Sequence, residues 1–89
     1  MRSFTTDRFW KLLEKLPESA RRQAKEAYRL FQANPDHPGL QFKPVSSNKP
    51  IFSVRITLDY RAVGVRDGSE ILWFWVGNHS DYDRLIAQL

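Results

Sequence analysis

The sequence predicts an α+β domain, with an N-terminal helical hairpin packed on an antiparallel meander of strands that ends in a short C-terminal helix. Phe9, Leu12, Leu13 and Leu16 fall at i, i+3, i+4 and i+7, the spacing of one helical face. Further along, Phe52, Val54 and Ile56 alternate with Ser53, Arg55 and Thr57, as in a half-buried strand. Asp67-Gly68 between two such runs marks a hairpin turn. The 89 residues make one domain with a single modest core.

Each element follows in order. Arg2-Ser3-Phe4 reads as a short edge strand or an ordered arm, and Thr5 or Thr6 supplies the cap of the first helix. Pro17 ends that helix and suits the first turn of the next, where Ala20, Ala24, Ala27, Tyr28 and Phe31 recur at helical spacing. The pair should fold back antiparallel through a tight turn. Off the apolar face lie Arg21, Arg22, Lys25 and Arg29, either a solvated surface or a stripe that meets phosphates or an acidic partner. Asn34-Pro35-Asp36-His37-Pro38-Gly39 stops the helix, because two prolines and a glycine cannot continue it. Leu40 and Phe42 then alternate, Ser46-Ser47-Asn48-Lys49-Pro50 forms a polar loop, and successive strands over 52–57, 60–66 and 71–76 complete the meander. Ile71-Leu72-Trp73-Phe74-Trp75-Val76 is apolar at both parities, which places it centrally, between helices on one face and aromatic contacts on the other. Residues 81–89 form the terminal helix, docked by Leu85 and Ile86.

Composition narrows the function classes. The chain has no cysteine, which excludes disulfides and thiolate metal sites. Its first residues lack the apolar run of a signal peptide, and its longest apolar run is far short of the ~20 residues that cross a bilayer. A cytoplasmic protein with no membrane association is the expectation. Residues 1–45 carry nine Lys/Arg against five Asp/Glu, whereas 46–89 carry five of each, so the net charge of +4 arises in the first half. An isoelectric point near 9.8 fits an anionic partner, either nucleic acid or an acidic protein.

The chemistry concentrates near the C-terminus. Gly77-Asn78-His79-Ser80-Asp81-Tyr82-Asp83 places one of two histidines three residues before a tyrosine, and Arg55 and Arg61 sit on the strands leading to it. An imidazole, a phenol and two guanidinium groups suit RNA chemistry. Structural readings compete at each position. His79 can cap the last helix, Tyr82 can pack a helical turn, and Asp81 and Asp83 suit the first-turn dipole. Arg84 pairs with a neighbour or is solvated, and His37, between two prolines, belongs to a turn. Neither histidine has a second ligand at metal spacing, so no zinc site and no cofactor are expected.

In combination, the two N-terminal helices, Asn34-Pro35 before Leu40, Val54-Arg55-Ile56, Tyr60-Arg61-Ala62-Val63 and Val76-Gly77-Asn78-His79 resemble the RelE/ParE superfamily of bacterial toxins, over nearly the whole chain. The resemblance implies a curved sheet against helices and a type II toxin held inactive by a cognate acidic antitoxin. Two activities occur in such proteins. RelE-like members cleave messenger RNA on the ribosome without metal, by attack of a ribose 2′-OH on the adjacent phosphate. That step needs a base, an acid and cations for the charge building on phosphorus. His79 is then the acid or base, Tyr82 a proton donor or stacking platform, and Arg61 and Arg55 the phosphate ligands, with Lys43, Lys49 and Arg66 as outlying contacts for RNA. Some relatives pair a carboxylate base with a C-terminal histidine or tyrosine, yet between Leu40 and Ser69 the only acids are Asp59 and Asp67, both in turns. ParE-like members instead bind DNA gyrase without chemistry of their own.

Strand parity sharpens the question. A two-residue reversal at Leu58 and Asp59 sets Arg55 opposite Ala62 and splits the two arginines between faces. A three-residue reversal over 58–60, or a bulge, puts both on the open face with Arg61 opposite Thr57. RNA cleavage requires Arg61 to face the same groove as His79.

Overall fold

Thr6 caps the first helix, α1 (Asp7–Glu14), its hydroxyl accepting the Phe9 backbone N–H at 3.1 Å in the computed structural model, which describes residues 1–89. Three residues later, Pro17 takes the cap position of α2 (Glu18–Ala33), one place earlier than the first turn, with its ring holding φ at −54°. The Arg21 guanidinium reaches back to the Leu16 carbonyl, so one member of the basic stripe is committed to the junction between the helices. Asn34 ends α2, and its side chain accepts the Asp36 N–H at 3.0 Å. His37 then accepts the Gly39 N–H at 3.1 Å and caps a 3-10 turn over Pro38–Leu40, the structural role its position suggests. Leu40 therefore reaches the core from a turn rather than from an extended run, and Gln41 follows in the left-handed region at φ 46°.

Five strands follow the order β1-β5-β4-β3-β2, where β1 is Arg2–Thr5, β2 Lys43–Pro44, β3 Ile51–Arg55, β4 Tyr60–Asp67 and β5 Glu70–Asn78. The run from β2 to β5 is the expected antiparallel meander. Arg2-Ser3-Phe4 does form an edge strand, but it pairs parallel to β5 with Phe4 opposite Leu72, so the sheet is mixed. The chain then crosses over through α1 and α2, the kind of long connection a parallel or distant strand requires.

The two apolar parities of β5 are explained by one irregularity. Val63 lies opposite Trp75 and Gly64 opposite Trp73, which leaves Phe74 as an extra residue in β5. Such a bulge reverses the alternation, so Trp73 and Trp75, two residues apart, point to opposite faces. Only glycine fits opposite it, because a Cβ on Gly64 would lie 2.9 Å from both the Leu72 carbonyl oxygen and the Trp73 ring. Trp73 consequently joins Leu13, Ala27, Phe31, Val54, Ala62 and Val76 beneath α1 and α2, with Phe31 edge-on to Trp73 at 5.3 Å and to Phe42 at 5.0 Å. Trp75 joins Ile51 and Val63 in a second, smaller cluster on the other face.

The last helix, α3 (His79–Ala87), covers that second cluster with Tyr82 and Leu85. Asn78 caps it, accepting the Asp81 N–H at 2.8 Å. Halfway along, the Tyr82 hydroxyl donates to Ser53 Oγ at 3.2 Å, and Ser53 is the one buried polar residue of the core. The ion pairs Arg2–Glu70, Arg29–Glu26 and Arg84–Asp81 and the His79–Asp83 hydrogen bond are all solvent-exposed, and the ion pairs are worth about 0–1 kcal/mol each. Aromatic packing outweighs them. Phe31→Ala is therefore expected to lower stability by about 3–5 kcal/mol in urea unfolding. Tyr82→Phe removes only the hydroxyl and leaves buried Ser53 without a partner, so the same measurement should show a loss of about 1–3 kcal/mol with helical circular dichroism retained.

Candidate functional site

The face of the sheet that carries α3 also carries both arginines. Arg55 lies directly opposite Arg61, and Arg61 is opposite Gly77, so the three form one row across β3, β4 and β5. This register is neither of the two anticipated, since residues 56–59 bridge the strands and the reversal is longer. It preserves the parity of the second arrangement, with both guanidinium groups on one face. The row behind it runs through Lys43, Ser53, Val63 and Trp75.

The longer reversal persists because a side chain satisfies its backbone. Arg61 Nη1 donates to the carbonyls of Thr57, Leu58 and Tyr60, at 3.3 Å for Leu58 and 3.0 Å for Tyr60. Thr57 Oγ1 accepts the Asp59 N–H at 3.1 Å, and the Ile56 and Thr57 N–H groups both reach the Tyr60 carbonyl. A guanidinium spread over several carbonyls replaces the hydrogen bonds that a tight turn would supply. The Arg55 guanidinium, on a half-buried residue beside it, makes no hydrogen bond or ion pair within the chain.

His79 stands at the first position of α3, two residues beyond Gly77. Its backbone N–H donates to the Asp59 carbonyl at 2.7 Å, so the start of the helix is tied to the 56–59 bridge. Its Nδ1 lies 3.1 Å from Asp83 Oδ2, and its side chain is 48% exposed. Nε2 is the nitrogen left for an external group. The Tyr82 ring meets the imidazole edge-on at 5.9 Å and lies over Trp75 at 6.4 Å, while its hydroxyl is directed to Ser53. Trp75 itself leans along the strand over Gly77, where any Cβ would fall 2.6 Å from the indole.

His79, Tyr82, Arg55, Arg61 and Lys43 thus share a face. Arg66 does not join them. It lies on the helix side of β4, stacked over Phe52 at 5.2 Å and Phe42 at 5.7 Å, with Nε donating to the Gly68 carbonyl. Lys49 sits in the loop before β3, at the opposite end of that strand from Arg55. Arg84 pairs with Asp81 on the outer side of α3. No three His, Asp or Glu side chains gather where they could hold a metal ion.

Two contributors escaped the sequence reading. Asp83 is the partner of His79, a relationship that their i, i+4 spacing on a helix encodes. Ser53 anchors Tyr82 across 29 residues, and nothing local announces that pairing.

The ParE-like toxin domain model matches residues 18–84. Among solved structures, the chain is similar to the RelB-RelE antitoxin-toxin complex from Methanococcus jannaschii, with 21% identity, 91% of this chain and 96% of that one covered, and a TM-score of 0.70. It is similar to the YoeB/ParE toxin from Agrobacterium tumefaciens at 19% identity, 89% and 99% coverage and a TM-score of 0.68. It is also similar to YafQ from E. coli at 14% identity, 92% and 98% coverage and a TM-score of 0.72. No curated protein sequence matches. At such identities the structural likeness is one of fold, and it extends over the same helices, sheet and terminal helix described above. The sequence match and the fold agree, and the chain belongs to the ParE-like toxin domain family.

Proposed function

We propose that this toxin of the toxin-antitoxin class cleaves messenger RNA on the translating ribosome. In the step we propose, a ribose 2′-OH attacks the adjacent phosphorus, the bond to the 5′-oxygen breaks, and a 2′,3′-cyclic phosphate and a free 5′-OH result. The observation that carries the reading is the shared face of Arg55, Arg61 and the His79–Asp83 pair. Asp83 on Nδ1 orients the imidazole and leaves Nε2 to take the 2′-OH proton or to return one to the leaving 5′-oxygen. Arg55, free of internal partners, forks onto the phosphate oxygens as charge builds, and Arg61 adds the nitrogens that the bridge does not use. Tyr82 presents a ring edge to His79 and braces the helix that carries it. Lys43 extends the cationic face along the row behind.

A second reading draws on the engagement of Arg61 Nη1 and the Tyr82 hydroxyl in bonds within the chain. With those groups committed to structure, the protein would act as a ParE-like binder of DNA gyrase. Primer extension on translated messenger separates the two. Cleavage by the wild type, lost at least about 100-fold in His79→Ala and in Arg55→Ala, is expected from the nuclease. Absence of wild-type cleavage together with gyrase-dependent DNA breaks would establish the second reading instead.

The partner proposed to silence the toxin is an acidic antitoxin segment, as the antitoxin-toxin complex from M. jannaschii suggests by analogy. A groove of about 430 Å³ between β1, α1 and α2 fits such a segment. Exposed Phe4, Trp10 and Tyr28 line it, Lys25 and Arg29 flank it, and Ser3 Oγ lies buried there without a hydrogen-bond partner. Lys25→Glu combined with Tyr28→Ala is expected to weaken binding of the co-expressed antitoxin by about tenfold or more in calorimetric titration. Unchanged affinity would place the antitoxin elsewhere.

A further inference from the structure

We infer that Arg61 is a positioning residue that fixes His79 through the backbone of the β3–β4 bridge. The inference deepens the nuclease reading and rests on it for its kinetic arm only. Four consecutive carbonyls, from Thr57 to Tyr60, have assigned partners. Those of Thr57, Leu58 and Tyr60 accept from Arg61 Nη1, and the remaining one, of Asp59, accepts the His79 N–H at 2.7 Å. The first amides of a helix have no partner inside it. In α3 the Asn78 side chain takes the Asp81 N–H, while the N–H of His79 is held by the bridge.

Ile56 anchors one end of the bridge against the main core, but Leu58, at 69% exposure, and Asp59 lie on the surface, so burial does not hold the part that carries the Asp59 carbonyl. Its rigidity comes from hydrogen bonds, and the charge-assisted ones all originate in one guanidinium. Releasing that group frees the Asp59 carbonyl to move, and the first turn of α3 loses its tether at the residue whose imidazole faces the substrate. Tyr82 and Leu85 still dock the middle of the helix, so the loss is confined to its start. A lysine keeps the positive charge for phosphate, but its side chain is one atom shorter, so its ammonium cannot reach the place where Nη1 meets all three carbonyls.

Arg61→Lys therefore separates positioning from charge. Nuclear magnetic resonance on the folded variant should show His79 amide exchange accelerated by about tenfold or more, with β4 and β5 core amides unchanged. In cleavage assays kcat should fall by about tenfold or more while KM for the messenger stays within about twofold, because a 1 Å displacement of an acid-base group acts on the chemical step. A raised KM at constant kcat with unaltered His79 exchange would make Arg61 a phosphate ligand only and overturn the inference. In the wild type, slow rotation of the Arg61 Nη groups and a through-bond coupling from the His79 nitrogen to the Asp59 carbonyl are expected. Free rotation of the guanidinium overturns the inference independently of any variant. Should the wild type cleave no RNA, the exchange and rotation measurements still decide the tether, and the failure falls on the nuclease reading alone.

Discussion

The rest of the structure depends on the bulge in β5 opposite Gly64. A regular strand would send Trp73 and Trp75 to the same face, so that the two indoles could not anchor opposite sides of the sheet. With Phe74 inserted, Trp73 fills the core beneath α1 and α2, and Trp75 becomes the floor on which α3 rests. Gly64 makes this possible by presenting no side chain where β5 approaches most closely. Two apolar clusters on opposite faces then give an 89-residue chain a three-layer cross-section from a single interior strand.

The location of the candidate site follows from that arrangement. Because α3 lies along one face and begins at the end of β5, its first residue is delivered beside the row of Arg55, Arg61 and Gly77. Gly77 is bare so that Trp75 can lie over it, and the indole in turn carries Tyr82. The Tyr82–Ser53 bond and the Asp59–His79 bond hold the helix at two points, one in its middle and one at its start. A chemical group on the first turn of a short helix is precise only if that turn is prevented from fraying, and here the tether comes from a different part of the chain.

Polar side chains in this protein are largely occupied in maintaining backbone. Arg61 satisfies bridge carbonyls, Arg21 the end of α1, Arg66 the β4–β5 turn, and His37 the 3-10 turn. The three arginines are cations that sequence reasoning weighs for phosphate contact, since residue type alone does not reveal how a side chain is engaged. What distinguishes Arg55 is the absence of any such commitment, and what distinguishes His79 is a carboxylate partner that leaves one ring nitrogen facing outward.

The helices, the antiparallel meander and the terminal helix were legible because their signals are local. Helical spacing in α1, alternation in β3, Asp67-Gly68 and the Asn34-Pro35 break all operate within a few residues, where backbone sterics and side-chain periodicity suffice. The grouping of an imidazole, a phenol and carboxylates around His79 was visible for the same reason, as residue types close together in the chain. The parallel pairing of β1, the bulge at Phe74, the register of Arg55 with Arg61 and the Ser53–Tyr82 bond were not, because each is decided by groups far apart in sequence that choose among alternatives of similar local energy. The sequence by itself determined the main helices, the antiparallel strands and the chemical groups available near the C-terminus. Tertiary structure decided which of those residues share a face, because a one-residue change of register or a single bulge inverts every side chain beyond it.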